Sequence, residues 1–175
     1  MTKQFTITPG DGHEPPRVTP MSLAFGDVLK TMRAFIVAER DLEDIAYSRD
    51  PAYAIWAEDT EKAHEELAEA LVNVHSLPVL VREDQPLRRM ALLADAMIGH
   101  EEPGGARALH LQMQVAFFTK FQVLGISSTA MHRNGLLIHG RHLIDAMISL
   151  ALFDGGPVDG PHTDEPPESD LGTAL

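Results

Sequence analysis

The sequence predicts an all-α protein: a four- or five-helix bundle with disordered or extended tails at both ends. Three observations lead there. Apolar residues recur at three- and four-residue spacing between about residues 19 and 153, the period of one buried helix face. Eight of the 12 prolines lie at the very start of that stretch or beyond its ends, four in the first twenty residues and four beyond residue 154. The only short strand candidate, Val79 to Val81, has no partner strand and reads as an extended connection.

The first helix opens at Thr19-Pro20, an N-cap followed by proline at the first helical position. Phe25, Val28, Leu29, Met32, Phe35 and Ile36 line one face, and the pattern runs to about Tyr47. Asp50-Pro51 repeats the start signal. The second helix carries Tyr53, Ala57, Leu67, Leu71 and Val74 on one stripe, with Glu58, Asp59, Glu61, Glu65, Glu66 and Glu69 opposite. It stops near Ser76, because Pro78 moves Leu77 out of helical geometry.

A third helix starts around Asp84 to Pro86, presents Leu87, Met90, Ala91, Ala94, Met97 and Ile98, and stops at Gly99. The fourth opens at Pro103 and Gly104-Gly105 and is expected to end near Gly125. It is apolar on two sides, with Leu109, Met113, Phe117, Phe121 and Leu124 on one and Leu111, Val115 and Phe118 on the other. A helix apolar around most of its circumference is buried or faces a partner. The fifth, capped by Ser127 or Ser128, is expected to reach Phe153, with Leu136, Leu143, Ile144, Met147 and Leu150 inward. Asn134-Gly135 marks a possible break within it, and Gly140 weakens it by about 1 kcal/mol relative to alanine.

The expected organisation is a flexible segment over 1–18, a helical domain over 19–153 and an acidic, Pro/Gly-rich tail over 154–175. The length of 175 residues suits one domain. The N-terminus lacks the basic start and apolar run of a secretory signal, and no stretch has the length and apolarity of a spanning helix, so a cytoplasmic protein is expected.

The net charge of −12 excludes a general polyanion binder, so neither nucleic acid nor membrane is an expected partner. With no cysteine, disulfides, thiolate zinc sites and cysteine nucleophiles are excluded. Charge is divided unevenly. Residues 21–102 hold 17 acids and 8 bases, residues 103–153 one acid and four bases, and the tail six acids and no base. An acidic half thus accompanies an apolar, mildly basic hairpin over about 107–153.

Acid depletion with aromatic and methionine enrichment is the composition of a protein interface. The expected function is therefore an interaction or structural protein that self-associates or binds a protein partner. Its candidate interface residues are Leu111, Val115, Phe117, Phe118, Phe121 and Met147. No catalytic constellation emerges: there is no Gly-x-Ser-x-Gly, and Gly104-Gly105 lacks the residues of a phosphate loop.

The alternative is a metal-binding bundle with redox or hydrolytic activity. Glu61-x-x-His64 has the spacing by which carboxylate-bridged dinuclear bundles present ligands, and His139 and His142 are again three apart. With Glu39, these residues form a candidate set for iron, manganese or zinc. Such bundles use two Glu-x-x-His motifs and this chain has one. The plainer reading makes His64 a core-edge histidine and His132, His139 and His142 the polar face of their helix.

Overall fold

A computed structural model describes residues 15–45, 53–102 and 104–154. Among them are five α-helices and no strand: α1 Pro20–Ile45, α2 Tyr53–Ser76, α3 Gln85–Ile98, α4 Gly105–Lys120 and α5 Ser128–Ile148. Short 3-10 turns cover Arg82–Asp84 and Ala151–Phe153. The Asp50-Pro51 start signal, the end of the first helix near Tyr47, Pro103, the first 14 residues and the tail from 155 lie outside the described residues.

Local chemistry sets the start of α1. The Ser22 amide donates to Thr19 Oγ1 at 3.1 Å, and the Thr19 amide donates to Ser22 Oγ at 3.0 Å. This is a reciprocal capping box, with serine in the place usually held by Glu or Gln. The stripe Phe25, Val28, Leu29, Met32, Phe35 and Ile36 is buried. It packs along α2, which contributes Leu67, Leu71 and Val74. Tyr53 is exposed rather than inward.

In α3 the predicted stripe is buried except for Ile98, which is only partly covered, and the Gly99 amide closes the helix on Asp95 O at 2.9 Å. α5 lies against α1, α3 and α4, whereas α4 packs chiefly on α3 and α5. The hairpin is therefore not a single layer: α5 is central and α4 is marginal. Gly140 lets α5 approach closely. A Cβ there would lie 2.6 Å from Met90 Sδ and 3.3 Å from Phe25 Cζ.

Two helix ends and one suspected break differ from expectation. α4 stops at Lys120, not near Gly125, because Phe121 and Val123 turn back into the core. Asn134 fastens that turn: its Oδ1 accepts from the Val123 amide at 2.8 Å and its Nδ2 donates to Val123 O at 2.9 Å. With its amide so engaged, Asn134 does not compete for its own helix backbone, and α5 passes unbroken through Asn134-Gly135. At its start Ser127 Oγ accepts from the Ala130 amide at 3.1 Å. α5 ends at Ile148, and Leu150 and Phe153 are buried in and beside the turn that follows. Leu137 takes the buried position expected of Leu136, which is only partly covered.

Residues 15–19 carry no regular secondary structure and are tied to α5: the Arg17 amide donates to Thr129 Oγ1 at 2.9 Å. Arg133 is the centre of this end of the fold. It is fully buried, and its Nε donates to Asp84 Oδ1 at 2.8 Å. Its Nη2 donates to Arg17 O at 2.8 Å and to Thr19 Oγ1 at 3.0 Å, and its Nη1 meets His132 Nδ1 at 2.8 Å. One guanidinium thus joins the N-terminal segment, the turn before α3, and α5.

Candidate interaction face

The two apolar sides of α4 have opposite fates. Met113, Phe117 and Phe121 are buried and Leu109 is partly buried. Leu111, Val115 and Phe118 point outward, with fractional exposures of 65%, 89% and 70%. Their spacing of four and three residues puts them on one ridge. Of the six expected interface residues, these three form a surface. Phe117, Phe121 and Met147 do not, since the chain's own core covers them. Leu124, on the inward side by spacing, is exposed because the helix ends before it, and Ile126 and Ile138 are exposed as well.

Phe118 is exposed yet held in place. Its ring meets Phe117 edge to face at 5.5 Å between centroids, and the Arg141 guanidinium lies 4.8 Å from the Phe117 centroid and 6.0 Å from that of Phe118. Arg141 is itself anchored by Gln114 Oε1. The Gln114 amide nitrogen donates to Asp145 Oδ1, which also accepts from His110 Nε2 at 2.7 Å. This chain of hydrogen bonds joins α4 to α5 and stiffens the base of the ridge. Its sequence signal was available: His110/Gln114 and Arg141/Asp145 are each four apart.

The metal-ligand set expected from the sequence does not assemble. Glu61 and His142 are exposed. His139 Nε2 lies 2.9 Å from the Arg33 guanidinium and accepts from it, which uses the lone pair a metal would need. His64 packs against Phe35, with ring centroids 5.7 Å apart. Glu39 is partly buried near His64. Burial raises its carboxyl above the usual range, the Glu43 charge raises it further, and His64 opposes both. Among the described residues no three His, Asp or Glu side chains converge on a point that would hold a metal ion.

A separate cleft of about 450 Å³ lies beside the ridge, between the start of α3 and the end of α4. Arg82, Arg89 and Lys120 line it together with Glu83, and Pro86, Phe118, Val123 and Leu124 supply its apolar wall. Arg89 also donates to the Lys120 carbonyl.

No protein-family model, curated protein or solved structure matches this chain. Among the described residues no helix is long and apolar enough to cross a membrane.

Proposed function

We propose that this chain is a protein-association module that pairs with a second copy of itself through the outer face of α4. The observation that carries the reading is the ridge Leu111, Val115 and Phe118, exposed on a stretch, 103–144, that contains no carboxylate side chain. Two molecules of charge −12 repel one another, and an acid-free face is where that repulsion is least.

An antiparallel crossing of two α4 helices about Val115 sets Leu111 of each copy against Phe118 of the other. This is the self-complementary pattern of a two-fold dimer. Full burial of one such side chain stabilises by about 1.5–3 kcal/mol. Six mostly exposed side chains, three from each copy, therefore contribute on the order of 10 kcal/mol. Lost rigid-body freedom offsets roughly 4–15 kcal/mol of that. Leu124 and Ile126 extend the apolar surface, and the balance supports a weak, reversible dimer.

Sedimentation velocity across a concentration series tests this. Wild type is expected to shift toward twice the monomer mass as concentration rises into the high micromolar range, and Val115→Asp to remain monomeric. Val115 is almost fully exposed, so the aspartate leaves the fold intact. A wild type that stays monomeric throughout, or a Val115→Asp variant that dimerises equally well, overturns the proposal.

A further inference from the structure

We infer that the cleft between α3 and α4 binds a small phosphomonoester carrying an apolar group. The inference does not require self-association, although Phe118 and Leu124 belong to both surfaces, and it rests on charge and shape. Arg82, Arg89 and Lys120 come together in a chain that is otherwise strongly acidic. Among the described residues, none of the three lies within ion-pair distance of a carboxylate. Among the described residues Glu83 is the one acid lining the cleft, which leaves close to two positive charges uncompensated by them. A phosphomonoester carries about −1.5 to −2 at neutral pH, which matches that excess.

Arg89 is pre-positioned. Its bond to the Lys120 carbonyl covers part of the partial negative charge at the C-terminal end of α4, which would otherwise repel an anion. The remaining guanidinium N–H groups stay available for a phosphate oxygen. Besides the cations, Phe118, Val123, Leu124 and Pro86 line the cleft and offer contact for an apolar substituent. The volume lies within the range of small-molecule sites, about 300–1,000 Å³. Inorganic phosphate would meet the charges and leave that apolar lining uncovered.

Isothermal titration calorimetry on the full chain, with phenyl phosphate and inorganic phosphate as probes, tests the inference. It is run on the Val115→Asp variant as well as wild type, so that loss of pairing and loss of ligand binding are read separately. Phenyl phosphate is expected to bind at least roughly tenfold more tightly than inorganic phosphate, since covering a phenyl ring adds the equivalent of one buried apolar side chain. Arg82→Ala and Lys120→Ala, both at exposed positions, are expected to abolish that binding with helix content unchanged by circular dichroism. Lys62→Ala, on α2, is expected to have no effect. Failure of phenyl phosphate to bind, equal affinity for the two probes, or wild-type binding by both cleft variants overturns it.

Discussion

Replacing Arg133 with methionine removes the cation that three parts of the fold share. Arg133 and Asp84 are both fully buried, and Asp84 Oδ2 has no hydrogen-bonding partner among the described residues. Without the guanidinium, the Asp84 carboxylate is left buried and uncompensated, and Arg17 O and Thr19 Oγ1 each lose a donor. Breaking a buried ion pair by removing one partner costs about 3–5 kcal/mol. That is a large part of the roughly 5–15 kcal/mol by which a domain of this kind is stable. It corresponds to a fall in melting temperature of roughly 10–20 °C. Replacing both partners with apolar residues, Arg133→Met with Asp84→Leu, leaves no stranded charge. The double variant should therefore recover most of the loss, as matched apolar replacements of buried pairs do. Urea denaturation followed by far-ultraviolet circular dichroism measures each variant and closes the double-mutant cycle. A loss below about 1 kcal/mol for Arg133→Met, or a double variant as damaged as the sum of the singles, refutes the keystone role.

Glu39 gives a pH-dependent prediction. Its folded-state carboxyl titrates above the unfolded value, so the native chain takes up a proton more readily than the unfolded one. The stability contributed there is full below the unfolded value near pH ~4.3 and is lost as pH rises through the raised folded value. Glu39→Gln should raise the melting temperature at pH 7 and leave it unchanged near about pH 3.5; a gain that grows on acidification contradicts the assignment. Two glycines of α5 should respond in opposite senses. At Gly135, where a Cβ meets nothing within 4 Å, alanine should stabilise by about 0.5–1 kcal/mol. At Gly140, where it meets Met90 and Phe25, overpacking of about 1–3 kcal/mol should outweigh the helical gain. Thermal denaturation of the pair settles both, and equal shifts of one sign would exclude close packing at Gly140.

Local chemistry made the first and third helices legible. Thr19-Pro20 and Gly99 act within a few residues of themselves, and the stripes behind them are regular enough to mark the core. The end of α4 was not legible, because tertiary contacts decide it. Burial of Phe121 and Val123, held by Asn134 eleven residues further on, overrides a helical pattern that continues to Gly125. The same limit applies to the histidines. His139 falls on a polar face by spacing, but its partner Arg33 lies 106 residues away, and no local signal announces it. For α4 both apolar sides were visible, and each suited burial equally well by pattern. The choice between them came from how α3 and α5 pack, which helical period alone does not encode.

The charge division shows the same gap between sequence and space, and it changes which surface does what. Residues 103–153 carry four bases and one acid, which suggests a basic face. In the fold, Arg133 is buried with Asp84, Arg107 pairs with Asp154, and Arg141 lies over Phe117. Little free positive charge is left on the ridge itself. Its suitability for a second copy therefore rests on the absence of carboxylates, not on attraction. The available positive charge sits beside the ridge, where Lys120 meets Arg82 and Arg89, two bases that belong by sequence to the acidic half. The two surfaces share Phe118 and Leu124 but differ in physics: one depends on apolar area, the other on uncompensated cations. Added salt should therefore weaken phosphomonoester binding through screening and leave self-association unchanged or strengthen it by reducing repulsion between the two acidic chains. If salt weakens both in parallel, a single electrostatic surface is at work and the two surfaces are not distinct.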